Sequence, residues 1–125
     1  MNTKTFLLSA LLMINLAFLI GCSQSKYKPL NTVPDVDLNK YMGKWYEIST
    51  IPQRFQKGCH CTTAEYSLTE KGYVKVVNSC KKDSINGADS GIEGKAFVVK
   101  NSNNSKLKVQ FFWPIKAKYW IIDLA

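Results

Sequence analysis

The sequence predicts an all-β protein, with an antiparallel sheet that curls into a barrel or stacks on a second sheet. Short runs of alternating apolar and polar residues follow one another from residue 44 to residue 124, and turn-forming residues separate them. No run after residue 42 has the period of an amphipathic helix. Because no helix is predicted to cover the apolar face of this sheet, the sheet must cover itself.

The composition agrees with one small globular domain. The 125 residues are 46% hydrophobic and 21% charged, which excludes wholesale disorder. Lys and Arg outnumber Asp and Glu by 17 to 9, for a net charge of +8. Only Arg54 is an arginine, whereas recognition of nucleic acid relies on more Arg side chains. We therefore interpret the charge as a solvated basic surface and expect no nucleic-acid partner.

The elements follow from local signals. Residues 36–41 are predicted to form one short helical turn, with Asp35 or Asp37 as its N-cap. Gly72 completes a hairpin turn, residues 101–106 (NSNNSK) form a second turn, and Pro114 interrupts the chain before the last strand. These signals delimit six strands, at residues 44–51, 62–68, 73–79, 93–100, 106–113 and 119–124.

Alternation within the strands predicts that one face of the sheet is apolar and the other mostly polar. Tyr66 lies between the polar residues Glu65 and Ser67, and Phe111 follows the polar Gln110. The residues that alternation places on the apolar face, as candidate lining of a binding cavity, are Tyr66, Val74, Val76, Ala96, Val98, Val109 and Phe111. The alternative for each of them is plain core packing.

The N-terminus carries the pattern of an export signal. Lys4 precedes an uncharged apolar run at residues 6–20 (FLLSALLMINLAFLI), which is short for a permanent membrane span. Residues 19–22 (LIGC) resemble the lipobox of bacterial lipoproteins, which implies cleavage before Cys22 and lipidation of its thiol. The alternative is a plain signal peptide with an incidental cysteine. We expect a signal peptide at 1–21, a tether at 22–34 and a folded domain at 35–125.

A second resemblance begins at the first strand. Residues 37–48 (DLNKYMGKWYEI) resemble the first signature of the lipocalins, and the similarity continues through residues 62–68, 74–78, 94–96, 107–112 and 119–124. The sequence most resembles the bacterial outer-membrane, apolipoprotein D-like lipocalins, and this resemblance implies an antiparallel up-and-down β-barrel. Gly43 would let the backbone turn into the first strand, and Trp45 would plug the narrow end of the barrel, with an indole N–H that needs an acceptor.

The resemblance implies a function. It implies a lipid-anchored protein that binds or stores a small hydrophobic ligand, a fatty acid or a lysophospholipid, at the outer membrane. Ser23 after the lipidated cysteine, rather than Asp, favours the outer membrane over the inner one. The family pattern adds Tyr119 and Ile121 to the candidate lining residues. The alternative is a structural or interaction lipoprotein, or a degenerate fragment of a lipocalin gene, that binds no small molecule.

The sequence departs from the family at its C-terminal side. Lipocalins close a barrel of eight strands, whereas about six are predicted here. The resemblance therefore implies an incomplete barrel, as expected of a truncated product of a lipocalin gene. The alternative is that the chain folds as an open curved sheet or pairs with a second copy in a homodimer.

Three cysteines remain after Cys22, and their pairing is open. Cys59 and Cys61 precede the second strand and Cys80 ends the third, so the hairpin brings them near one another. Alternation places Cys80 on the opposite face from both, and a bulge before Thr62 would correct this. A metal site that includes His60 is the alternative, although Cys-x-Cys is not the usual zinc spacing. We expect one disulfide, one free thiol and no metal.

No catalytic constellation is found. The chain has a single His and no Ser-His-Asp pattern, and its carboxylates are scattered. We therefore expect a binding protein without a cofactor rather than an enzyme.

Overall fold

The computed structural model describes residues 27–125, which form one sheet with two short helices. The predicted signal peptide and Cys22 lie outside these residues. The chain divides into two units, Met1–Leu30 and Asn31–Ala125. Residues 27–30 of the first are exposed and irregular. The elements of the second are α1 (Leu38–Tyr41), β1 (Gly43–Tyr46), a 3₁₀ turn (Arg54–Gln56), β2 (Cys59–Leu68), β3 (Val74–Lys82), β4 (Asp89–Val98), β5 (Lys106–Gln110) and β6 (Ala117–Trp120).

The sheet is a meander. Its six strands lie in the order β1-β2-β3-β4-β5-β6, and every neighbouring pair is antiparallel. Within residues 27–125 no pairing joins β1 to β6, so the sheet is open between them. The prediction of an all-β chain with six antiparallel strands in an open sheet is confirmed. No helix in the same residues has the length and apolarity that crossing a membrane requires.

Local chemistry explains where the elements begin. The carboxylate of Asp37 accepts hydrogen bonds from the backbone N–H groups of Asn39 (3.0 Å) and Lys40 (3.3 Å), so Asp37 and not Asp35 caps α1. Gly43 has a φ of +102°, a left-handed conformation that lets the chain pass from α1 into β1.

Three predicted strands are shorter than expected: β1, β5 and β6, the last of which ends at Trp120 instead of residue 124. For β1 and β5 the reason is identifiable. β1 ends at Tyr46 instead of residue 51, because its partner β2 changes register between His60 and Thr63. The bulge leaves no continuous ladder for β1 to follow. β5 ends at Gln110 instead of residue 113, and Pro114 in the following loop has no N–H to donate to a ladder.

Apart from Cys80, the buried hydrophobic residues gather toward one end of the sheet. This closed end carries α1, the β2–β3 turn and the β4–β5 loop, and the N-terminal segment 32–37 crosses it. The backbone N–H of Val33 donates to the Ile121 carbonyl (3.0 Å), and that of Val36 donates to the Asn103 carbonyl (3.0 Å). The core cluster here consists of Val36, Tyr41, Tyr66, Val74, Val76, Ala96, Leu107 and Ile121.

The other end, the open end, carries three connections: residues 47–58, 83–88 and 111–116. Their apolar side chains are largely exposed, with Trp113 at 87% and Phe55 at 76%. The two ends therefore differ sharply in packing, and this difference places the candidate site.

Candidate functional site

The alternation predicted from the sequence converges on the concave face of the sheet. Tyr66 pairs with Val76, Leu107 with Tyr119, and Val109 with Ala117, so alternate residues of adjacent strands share this face. Two adjoining cavities lie against it.

The open-end cavity has a volume of about 560 Å³. Lys82, the last residue of β3, is the only charged residue among the described residues that line it. Its walls are otherwise apolar or uncharged, and they comprise Phe55, Gln56, Cys59, Thr62, Asn78, Ser79, Cys80, Ser90, Gly91, Ile92, Val109, Phe111, Phe112, Ile115 and Ala117. A space of this size and character suits a hydrocarbon chain.

Gly94 makes room for one wall of this cavity. A Cβ atom at Gly94 would lie 2.6 Å from Cδ1 of Phe111 and 2.8 Å from the carbonyl oxygen of Gln110. Only a glycine therefore allows the Phe111 ring to lie flat across β4.

The closed-end cavity is smaller, about 320 Å³, and more polar. It shares the lining residues Gln56, Thr62 and Asn78 with the open-end cavity, so the two cavities are adjacent. Its other lining residues are Tyr41, Trp45, Tyr46, Glu47, Thr63, Ala64, Tyr66 and Tyr119.

Three tyrosines form a hydroxyl network at the base of this cavity, which we call the tyrosine cluster (Tyr41, Tyr66 and Tyr119). The Tyr41 and Tyr119 hydroxyls lie 3.0 Å apart, and the Tyr66 hydroxyl donates to that of Tyr119 at 3.3 Å. The Tyr41 and Tyr66 rings pack with their centroids 5.4 Å apart. Side chains of α1, β2 and β6 are thus joined through polar atoms.

Trp45 supports the cluster from β1. Its indole Nε1–H donates to the backbone carbonyl of Tyr41 at 2.8 Å, which supplies the acceptor that the sequence requires. Its ring centroid lies 4.8 Å from that of Tyr41.

Two phenols of the cluster, those of Tyr41 and Tyr66, keep their protons to a higher pH than usual. Burial raises the pKa of Tyr41 and of Tyr66 well above the usual range, and the hydrogen bond of each to Tyr119 adds to the shift. At neutral pH both hydroxyls therefore keep their protons and remain available as hydrogen-bond donors.

The structure distributes the predicted lining residues among three places. Tyr66 and Tyr119 line the closed-end cavity, and Val109 and Phe111 line the open-end cavity. Val98, at the end of β4, is 39% exposed and lines neither. Four residues are buried in the core cluster and line neither cavity: Val74, Val76, Ala96 and Ile121.

Other lining residues lie outside the prediction. Ile92 precedes the predicted start of the fourth strand, although it continues the alternation of Gly94 and Ala96. Phe55 and Ile115 lie in connections, where alternation gives no signal. Tyr41 belongs to a helix, and its place beside β6 depends on tertiary structure.

The cysteine pairing, which the sequence left open, is resolved at the open end. Cys59 and Cys80 form a disulfide with their Cα atoms 5.4 Å apart, and Cys61 is free and exposed. The bulge that this pairing requires lies between His60 and Thr63, where Cys61 has a φ of +51°. The alternative metal site with His60 would need the thiols of all three cysteines, and two of them, Cys59 and Cys80, are bonded to each other.

Comparison with known proteins decides the family. A family model described as Lipocalin-like domain matches residues 36–125. The chain belongs to the lipocalin-like family. Apolipoprotein D of Bos taurus is 40% identical over 119 residues, covering 90% of this chain and 61% of the relative. The outer membrane lipoprotein Blc of Vibrio cholerae is 37% identical over 92 residues, covering 74% and 53%.

A solved structure with the same fold is that of insecticyanin from the tobacco hornworm Manduca sexta, with a TM-score of 0.64 at 26% identity. The similarity covers 78% of this chain and 53% of insecticyanin. The alignments to apolipoprotein D and Blc span 61% and 53% of those proteins. Lipocalins are binding and transport proteins rather than enzymes, so membership of the family supports a binding role for the two cavities.

Proposed function

We propose that this lipocalin is a lipid-anchored protein of the bacterial cell envelope that holds a small hydrophobic ligand, a fatty acid or a lysophospholipid, on its concave face. The observation that carries this proposal is the open-end cavity of about 560 Å³, whose walls are apolar side chains such as Ile92, Val109 and Phe111. Apolar walls bind a hydrocarbon chain by removing it from water, and they select weakly among chain lengths.

Lys82 supports an acidic head group. It is the one charged residue that lines the open-end cavity in the described part of the chain. Its ammonium donates to the carbonyl oxygen of Lys57 at 3.3 Å, which holds it in the connection region at the cavity mouth. A carboxylate or phosphate there would find an opposite charge while its acyl chain extends along the sheet.

A titration with a fluorescent fatty acid tests the binding role. The wild-type protein should show saturable binding, and Phe111→Asp should abolish it by placing a charge in the apolar cavity. Gln110→Asp is the matched control, because it introduces the same charge one residue away, on the opposite face of β5. A wild-type protein that shows no saturable binding would refute the carrier role.

The anchor is proposed from Cys22, which follows the apolar run of residues 6–20. A relative named as an outer membrane lipoprotein, from Vibrio cholerae, supports the same location for this chain. Cells that express the chain should incorporate a clickable fatty acid into it, and Cys22→Ser should abolish the labelling while Cys61→Ser retains it. Labelling that survives Cys22→Ser would contradict the lipoprotein assignment.

A structural or interaction lipoprotein is the second candidate. The exposed aromatic side chains of Phe112 and Trp113 at the open end favour it, because exposed apolar patches mark contact surfaces. This candidate predicts no saturable fatty-acid binding, and it predicts a homodimer or a larger complex by light scattering.

A further inference from the structure

In the tyrosine cluster, the three hydroxyl protons outnumber the hydrogen bonds that the hydroxyls make with one another. Its three hydroxyls carry three protons, and two hydrogen bonds join them. Tyr66 donates to Tyr119, so the remaining bond is donated either by Tyr41 or by Tyr119. In either case one O–H, on Tyr119 or on Tyr41, is left without an acceptor within the cluster.

Both hydroxyls that can carry this unused donor belong to residues of the closed-end cavity wall. Tyr41 and Tyr119 both line that cavity, and Tyr119 is 37% exposed while Tyr41 is buried. An acceptor atom at the base of the cavity would complete the hydrogen bonding of the cluster. A hydrocarbon tail in the same place would leave the donor unpaired, which is unfavourable once water is excluded.

The charge of the cavity defines what this acceptor can be. Glu47 is the one ionisable residue among the described lining residues other than the tyrosines, and its carboxylate accepts from Nε2 of Gln56 at 3.1 Å. No Lys or Arg of residues 27–125 lines this cavity. A ligand carboxylate or phosphate would meet Glu47 without a compensating cation, whereas a neutral oxygen would meet only the free O–H.

The two cavities thus have opposite preferences. Lys82 at the open end suits an anionic group, and the tyrosine cluster at the closed end suits a neutral oxygen. The shared lining residues Gln56, Thr62 and Asn78 place the two spaces side by side, so an elongated molecule that passes these three residues would reach both.

We propose that the tyrosine cluster is a subsite for a neutral oxygen atom and that the ligand, given the binding role proposed above, is a fatty acid with a hydroxyl or keto group remote from its carboxylate. The carboxylate lies toward Lys82, the chain crosses the apolar walls, and the remote oxygen accepts the free tyrosine O–H. The cluster therefore discriminates oxygenated from unsubstituted fatty acids.

The test compares ligands that differ by one oxygen. Protein purified from cells that express and export the full chain is titrated with hexadecanoic acid and with its 10-, 12- and 16-hydroxy derivatives, by displacement of a fluorescent fatty acid. The same series is run on the triple variant Tyr41→Phe/Tyr66→Phe/Tyr119→Phe, which keeps all three rings and removes the three hydroxyls. Tyr73→Phe, on the opposite face beside Phe97, is the matched control.

The measured quantity is the affinity of a remote hydroxy acid divided by that of hexadecanoic acid. For at least one remote hydroxy acid, we expect this ratio to be about fivefold higher in the wild type than in the triple variant, the effect of one neutral hydrogen bond. Tyr73→Phe should keep this gain. A 2-hydroxy acid should gain nothing, because its hydroxyl lies beside the carboxylate at the open end.

Two failures are distinguishable. If both classes of acid bind and their affinity ratio is the same in the wild type and the triple variant, the tyrosine subsite is refuted and the carrier role stands. If no acid binds the wild type, the carrier role itself is refuted.

Should the triple variant fail to fold, ultraviolet difference spectra of the wild type replace the comparison with that variant. The remote hydroxy acid must then shift the tyrosine band more than hexadecanoic acid does, and equal shifts would refute the subsite.

Discussion

At the closed end of the sheet, side chains such as Val76 and Ala96 are 2% and 1% exposed, and the segment 32–37 is bonded across the strand ends. At the open end, Phe112 and Trp113 are 68% and 87% exposed, and the Cys59–Cys80 disulfide joins β2 to β3. One sheet thus uses packing at one end and a covalent bond at the other. The difference shows that apolar space for a ligand lies at the open end, where side chains do not fill the concave face of the sheet.

The comparison is tested most strongly by placing the same charge at each end. Val76→Asp buries a carboxylate in the filled core, and we expect it to reduce the free energy of unfolding by more than about 4 kcal/mol, enough to unfold a domain of this size. Phe112→Asp places the same charge at the open end, on a side chain that is 68% exposed, and we expect a loss below about 2 kcal/mol. Urea denaturation followed by circular dichroism measures both, and equal losses would show that the two ends do not differ.

Removal of the disulfide isolates the contribution of the open end. The cross-link joins residues 21 apart in the chain, and Cys59→Ala/Cys80→Ala should lower the free energy of unfolding by about 3 kcal/mol through the added entropy of the unfolded chain. Cys61→Ala is the control and should change stability by less than about 0.5 kcal/mol, because Cys61 is exposed and unbonded. A double variant as stable as the wild type would mean that packing holds the open end after all.

Alkaline pH probes the closed end alone. The pKa values of Tyr41 and Tyr66 are raised in the folded state, so above the unfolded-state pKa of about 10 the unfolded chain releases protons that the folded chain keeps. Stability is unaffected by these groups below about pH 10, and above it the free energy of unfolding should fall by up to about 1.4 kcal/mol per pH unit for each tyrosine. Tyr41→Phe/Tyr66→Phe should flatten this slope in urea titrations from pH 9 to 11, and Tyr73→Phe should leave it unchanged.

The smallest expected effect concerns the cap of α1, which holds Tyr41 in the closed end. Asp37→Ala removes the acceptor of two backbone N–H groups and should cost about 1 kcal/mol. Asp35→Ala, two residues earlier, should have no measurable effect in the same thermal denaturation. An equal loss from both variants would indicate a general charge effect rather than a cap.

Much of this architecture could be predicted from the sequence, because alternation and turn residues are local signals. The faces of β2 to β5 and the turn at Gly72 follow from residues that are neighbours in the chain. The bulge at Cys61 was needed to reconcile Cys59 with Cys80, but only the structure selects Cys59 over Cys61 as the partner.

The tyrosine cluster could not be predicted in the same way. Tyr41 and Tyr119 are 78 residues apart, and their contact depends on the curvature of the whole sheet and on the position of α1. Alternation likewise placed Val74 and Val76 on the correct face without revealing that they are packed in the core instead of lining a cavity. A pattern along one strand reports which face a side chain occupies, and only the tertiary fold determines how much space remains on that face.

The order of strands in the sheet has a consequence for how the chain folds. Each strand pairs with the one made just before it, so a chain that emerges N-terminus first can add its strands one at a time, with short loops to close at each step. The segment 32–37 is the exception, because its partners lie much later in the sequence: Asn103 is in the β4–β5 loop and Ile121 follows β6. The first residues of the domain to be synthesised are therefore among the last to find their places.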